Sequence, residues 1–261
     1  MRRDRVPLLA PIALLVLLVL GWEGAVRVFH IPAYFLPAPS ATYEALVRDW
    51  GLLSGSALLT LRITLLAFLV AIITGIGLAL AFSASRLFFG AAFPLVIALQ
   101  VTPVVAIAPL ISVWIGGDRP QLVTLILAAI VAFFPMLANA MIGLRSTDPA
   151  LRALFKLYGA TPTERFFQLE VPSALPYILS GMKISGGLAL VGAVIAEFAA
   201  GSGASQGLAW RISEAGNRLE IPRLFAALLL LTALGLAIYA VLSLFERRVL
   251  GRWHESQLGG A

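Results

Sequence analysis

Few residues in this sequence are of a type that does chemistry, and their spacing does not gather them. Cysteine is absent, which leaves no disulfide framework, no thiolate nucleophile and no cysteine metal site. The two histidines, His30 and His254, stand at opposite ends of the chain, neither with a second ligand at metal spacing. No G-x-x-x-x-G-K-[ST] loop occurs, since Gly201-Ser-Gly203 lacks the lysine. The chain is therefore expected to bind no cofactor of its own and to hydrolyse no ATP. What remains is a small set of polar residues inside long apolar runs. Charge at membrane depth is costly, so such residues are the first functional candidates. Glu197 leads them, because it ends a series spaced by four: Gly181, Ser185, Ala189, Ala193, Glu197. Small residues at that spacing let a second helix approach closely, or leave room for a pathway. Glu197, Ser185, Gln100 and Asn139 are the candidates for lining a solute pathway, with Arg211 or Arg218 as a counter-charge for Glu197. Lys183 and Arg62 are expected to reach outward to water at opposite membrane surfaces.

The elements that must carry these residues are membrane helices. Of 261 residues, 60% are hydrophobic and 12% charged, with a mean hydropathy of +0.96. A soluble domain carries about 25% charged residues, so this chain is too poor in charge to cover a water-facing surface. Apolar stretches near the roughly 20 residues that cross a bilayer recur six times, at 7–29, 57–83, 90–115, 121–143, 177–199 and 223–245. The third is interrupted by Pro94, Pro103 and Pro109. The first follows Met1-Arg-Arg-Asp-Arg5 but has no small-residue cleavage site after it, so it reads as a retained helix. The fold expected is an all-α integral membrane domain of about six transmembrane helices over 1–261.

A net charge of +6 and a pI near 10.3 would suit nucleic acid only if the basic residues clustered. They are scattered between apolar segments instead, and the positive-inside rule accounts for them. With both termini cytoplasmic, the formal surplus of positive charge lies on the inner side.

Three connections are long. On the outer side, 30–56 holds Leu36-Pro-Ala-Pro-Ser40 and an interfacial helix over 41–50 that Ser40 is expected to cap. Also outside, 201–222 opens with Gly-Ser-Gly-Ala-Ser-Gln-Gly. The cytoplasmic segment 144–176 is the most informative. Asp148-Pro149 reads as an N-cap with proline at the first helical position. Leu151, Leu154, Phe155 and Tyr158 follow as one apolar stripe, with Arg152 and Lys156 on another face. Gly159 supplies a left-handed helix end. Thr161-Pro-Thr-Glu164 then has the form of a capping box opening a second short helix, which Pro172 and Pro176 are expected to stop. Such a pair of helices either docks a partner or lies on the membrane surface.

The run from Gly159 to Pro172, with nine residues between Gly159 and Leu169-Glu-Val-Pro172, resembles the cytoplasmic loop of permease subunits of bacterial ATP-binding-cassette importers. That signature reads E-A-A, three residues, G, nine residues, I-x-L-P. Gly159 and Pro172 match it, while the E-A-A positions are Ala153, Leu154 and Phe155, a more apolar docking helix without the usual glutamate. The segments Ala174–Ile184, Gly192–Phe198, Leu36–Ser40 and Ala108-Pro-Leu are similar to the nitrate/sulfonate/taurine branch and to thiamine-pyrimidine and riboflavin precursor permeases.

The resemblance implies a type I importer-like permease of the inner membrane that passes a small anionic or heteroaromatic solute. Its implied partners are a second permease copy, two cytoplasmic ATPase subunits carrying ATP and Mg, and an extracytoplasmic solute-binding protein. Arg152, Ala153, Leu154, Phe155, Lys156, Tyr158, Gly159, Ala160, Leu169 and Pro172 would form the ATPase-coupling loop. Two other classes remain open. A self-sufficient secondary transporter or channel would show inverted repeats and paired intramembrane charges. A membrane-embedded enzyme would show a cluster of acids, bases or nucleophiles.

Overall fold

The computed structural model describes residues 9–116, 119–200 and 206–251. The basic N-terminal pentapeptide, His254 and Gly201–Ser205 lie outside these residues. The described elements are helices: α1 (Leu9–Val28), α2 (Pro39–Arg48), α3 (Trp50–Ala84), α4 (Arg86–Val101), α5 (Val104–Ile115), α6 (Pro120–Arg145), α7 (Pro149–Leu157), α8 (Pro162–Arg165), α9 (Val171–Ala200), α10 (Leu208–Asn217) and α11 (Ile221–Leu250). Five helical stretches are long and apolar enough to cross a membrane, or six if the bent pair α4–α5 counts as one span. Helices are what a bilayer demands, because each backbone N–H and C=O must find its partner within the segment.

Three expectations need correction. The third span is not one helix: α4 and α5 meet at 104°. Pro103 cannot donate to the ladder, and it holds Thr102 extended (φ −72°, ψ 125°), which breaks the helix there. Pro94 and Pro109 are accommodated inside their helices. Second, Pro172 and Pro176 do not stop the helix begun at Pro162. A π-helical turn over Phe166–Glu170 joins α8 to α9, with Val171 N–H donating to Phe166 C=O. That widened turn relieves the clash a proline ring makes in an α-helical ladder. Third, Ser40 does not cap α2. The helix begins at Pro39 with Ala38 as N-cap, and Ser40 donates instead to Glu23 of α1, from its backbone N–H at 3.0 Å and its hydroxyl at 2.9 Å. A carboxylate on the neighbouring helix thus satisfies the orphan donors and the dipole at this N-terminus.

The chain divides into two compact units, Met1–Ala57 with Gln206–Thr232 and Leu58–Ser205 with Ala233–Ala261. In the first unit, charged pairs tie segments distant in sequence. Arg223 donates to both oxygens of Asp49, from Nε at 2.7 Å and Nη2 at 3.3 Å. This guanidinium holds the Asp49 carboxyl below its ordinary range. Arg211, nearly buried, donates to Ser56 Oγ at 3.0 Å, Glu214 at 2.7 Å and Gln206 at 3.2 Å.

The second unit is built on small residues. Ala71, Ala132 and Ala189 are fully buried together, as are Ala67, Ala128 and Ala193. Each trio takes one residue from α3, α6 and α9, so these helices meet along alanine rows that let backbones approach. Glycines bring α6 and α9 close along much of their length. A Cβ on Gly192 would stand 2.9 Å from Ala128 Cα, one on Gly181 2.7 Å from Asn139 Cβ, and one on Gly143 2.9 Å from Ala174 O. Nothing stands within 4 Å of the corresponding point on Gly187. Gly192→Val should therefore push α6 and α9 apart and cost about 1–3 kcal/mol, as overpacking does. Thermal unfolding of the purified protein checks this, with Gly187→Ala expected to unfold like the parent.

Candidate functional site

The loop between α6 and α9 is assembled locally as its residue types require. Asp148 accepts from Ala150 N–H at 2.8 Å, with Pro149 at the first helical position. Helix α7 ends at Leu157 with Tyr158 as its C-cap, and Gly159 adopts φ +74°, a conformation glycine enters without steric cost. The capping box is complete: Glu164 N–H donates to Thr161 Oγ1 at 3.2 Å, and Thr161 N–H donates to the Glu164 carboxylate at 2.8 Å.

The loop is then clasped to the helices that carry it. Ser146 Oγ donates to Gly143 O at 2.7 Å and stands 3.5 Å from Ser173 O, across the base. Arg152 donates to Leu144 O at the end of α6 at 3.1 Å. Arg152 and Arg165 both approach Glu170, at 3.6 and 3.3 Å. Arg152 therefore serves the loop itself, where the sequence placed it with Lys156 on a second face of the helix. Glu170 was missed by sequence reasoning; its only signal is its place inside Leu169-Glu-Val-Pro172, and its partners are 5 and 18 residues away. Leu169 is buried, and Phe155, Ala160 and Pro172 are half-buried.

What faces outward is apolar. Leu154 is 45% exposed, Leu157 85% and Tyr158 84%, beside exposed Leu151, Ala153, Lys156 and Gly159. Phe167 is exposed on the following turn. Exposed apolar side chains grouped on one short helix mark an interaction surface. A lone Lys156 among them is a weak match to a lipid headgroup layer, which an interfacial helix meets with a basic face.

The four pathway candidates lie in the second unit and are not brought to one point. Ser185 and Glu197 share α9 but stand twelve residues, roughly 18 Å, apart. Both are buried, and Thr60 Oγ1 donates to Glu197 at 3.4 Å. Ser185 Oγ has no hydrogen-bond partner among the described residues. Asn139 donates to Pro135 O at 2.8 Å, and Gln100 lines an apolar cavity of about 260 Å³ with Phe93, Phe134 and Met141. Arg211 and Arg218, considered as counter-charges for Glu197, both engage Glu214. Lys183 does not simply reach for water: its ammonium pairs with Glu246 at 2.6 Å. Neither end of that pair was legible from local spacing, because the partners are 63 residues apart.

Residues 71–251 match the family described as binding-protein-dependent transport system inner membrane component. The chain is 34% identical to the riboflavin transport system permease protein RibX of Chloroflexus aurantiacus, over 94% of this chain and 90% of that one. It is 30% identical to the formylaminopyrimidine transport permease protein ThiX of Halalkalibacterium halodurans, over 95% and 97% of the two chains. Among solved structures, it superposes on a chain of an amino acid ABC transporter crystallised with histidines, with a TM-score of 0.65 and 20% identity, covering 78% of this chain and 96% of the other; that likeness is one of fold.

At Gly159 the turn geometry makes a sharp expectation. Gly159→Val forces a β-branched residue to positive φ and should cost ~1–2 kcal/mol locally. Asparagine enters that region more readily, so Gly159→Asn should be mild. Limited proteolysis of the loop checks both: faster cleavage at 149–170 is expected in the valine variant alone.

Proposed function

This chain belongs to the family of binding-protein-dependent transport system inner membrane components, the permeases of ATP-binding-cassette importers, and from that premise we propose how its parts divide the work. The exposed apolar face of α7 is the seat for a cytoplasmic ATPase subunit, and the helices of the second unit line one half of the solute pathway. Two permease copies and two ATPases make the working assembly, with ATP and Mg held by the ATPases and solute delivered by an extracytoplasmic binding protein. Both termini face the cytoplasm, which puts the basic excess and α7 on the same side as the ATPase.

The observation that carries this reading is the exposure of Leu154, Leu157 and Tyr158 on a loop that Ser146 and Arg152 hydrogen-bond to the end of α6. The loop is ordered, yet the outward face of α7 is mostly apolar, with Lys156 its one exposed charge. Burial against a partner is the ordinary fate of such a face. The missing glutamate of the usual docking signature fits, since Ala153, Leu154 and Phe155 shift the contact from polar to apolar.

For the solute, the riboflavin and formylaminopyrimidine relatives support a heteroaromatic molecule of the vitamin or vitamin-precursor class. Glu197 and Ser185 on α9, Asn139 on α6 and Gln100 on α4 are the polar groups offered to it. Glu197 is the one whose charge discriminates between solutes.

A Leu154→Glu, Leu157→Glu pair tests the docking surface. Both side chains are exposed, so membrane insertion and thermal stability should be unchanged. Removing two desolvated leucines and adding two charges should weaken ATPase association ~30-fold or more. Co-purification of the ATPase with the tagged permease, and solute-driven ATP hydrolysis in reconstituted vesicles, read this out. Full association and coupling in the variant would remove α7 from the role. Uptake that persists without any ATPase would point instead to a self-sufficient transporter.

A further inference from the structure

A cavity of about 490 Å³ opens where α3, α4 and α6 end on the face that carries the loop. Ser83, Arg86, Arg145, Arg152, Arg165 and Glu170 give it its polar lining. Among the described residues lining it, four guanidinium groups face one carboxylate, and Arg152 and Arg165 already share that carboxylate. Arg145 lies over the Phe89 ring at 4.9 Å, a cation–π contact that takes up no anion. Arg86 has no carboxylate within ion-pair reach among the described residues. The Nε atoms of Arg152 and Arg165, the ones that face Glu170 at 3.6 and 3.3 Å, are buried and complete no hydrogen bond.

These observations describe a hollow with surplus positive charge and surplus donors, short of acceptors. Helix ends place it at the level where a bilayer changes from hydrocarbon to headgroup. We propose that this cavity binds a phosphate group, supplied by an anionic phospholipid of the adjoining leaflet. A phosphate diester presents a single negative charge and several acceptor oxygens, and arginine forks match that geometry. Basic pockets at the ends of membrane helices take anionic headgroups by this chemistry. A zwitterionic headgroup brings its own ammonium, which the surplus of guanidinium groups repels.

The site has a structural consequence for the loop. Arg152 belongs to α7 and Arg165 to α8, whereas Ser83, Arg86 and Arg145 belong to the ends of membrane helices. An occupied cavity therefore fastens the loop to the bundle through one shared anion, in addition to Glu170.

The test uses the full-length protein purified in a neutral detergent, with thermal unfolding measured against added lipid. Phosphatidylglycerol should raise the midpoint by about 3 °C or more, while phosphatidylcholine should not. Inorganic phosphate at millimolar concentration is the third arm. If it reproduces the shift, the cavity recognises phosphate from a soluble source as well; if only the lipid acts, the acyl chains hold the headgroup there. Either result supports the site, provided that Arg86→Gln together with Arg145→Gln removes it. Ser83→Asp is the second variant. It places a carboxylate among the arginines, so the unliganded protein should be at least as stable as the parent and the response to phosphatidylglycerol should vanish. A phosphatidylglycerol shift that survives in both variants, or no difference between the two lipids with the parent protein, overturns the proposal.

Discussion

The close packing of α6 on α9 is the constraint on which the rest of the second unit depends. Membrane helices have no hydrophobic drive toward one another, so they associate where small side chains let backbones meet. Gly143, Gly181 and Gly192 mark three such points along the pair, from the loop end toward the opposite end of α9. The loop leaves from the end of α6 and returns at the start of the helix leading into α9. Its base is fixed by that packing before any loop residue contributes. Gly143, whose missing side chain admits Ala174 and Tyr177, also offers its carbonyl to Ser146.

From that base outward, most polar groups of the loop are engaged with one another or with the end of α6, while the exposed side chains of α7 are mostly apolar. Arg152 serves Leu144 and Glu170, Thr161 and Glu164 serve one another, and Asp148 serves Ala150. What is left for a partner is Leu154, Leu157 and Tyr158. A rigid element with an apolar face suits a part that transmits motion, because an ordered contact loses little conformational entropy when it forms. In the first unit, Arg223 pairs with Asp49 and Arg211 with Glu214, so that neither partner is left as an uncompensated charge.

Much of this was legible in the sequence where the signal is local. Span positions followed from runs of apolar residues, the α7 cap from Asp148-Pro149, the turn from Gly159 and the capping box from Thr161 and Glu164. The prolines were legible in part. Pro103 signals an interruption of the third span, though not the 104° bend it makes there, while Pro172, expected to stop a helix, is absorbed by a π-helical turn that no residue type announces. Ser40 looked like a cap because its type favours one, yet a carboxylate on α1 does the capping. Pairings such as Lys183–Glu246 and Arg152–Glu170 depend on how helices meet, so a one-dimensional pattern carries no trace of them. The seam ending at Glu197 was legible as spacing, but its two meanings, close packing and pathway, share the same residue types.

If α7 seats the ATPase as proposed, a loop hydrogen-bonded at its base to the ends of α6 and α9 moves with those helices as one body and passes force to them without a hinge. The chain has no cysteine, so a pair introduced at Ser146 and Ser173, on the two sides of the loop base where the native Ser146 hydroxyl and Ser173 carbonyl are 3.5 Å apart, supplies its only thiols, and non-reducing electrophoresis reads whether they bridge. Uptake by the reconstituted assembly is measured with this pair oxidised and then reduced. A rigid loop base predicts equal uptake in the two states. Uptake abolished by oxidation and restored by reductant would show that the base must open during transport, and would contradict the account.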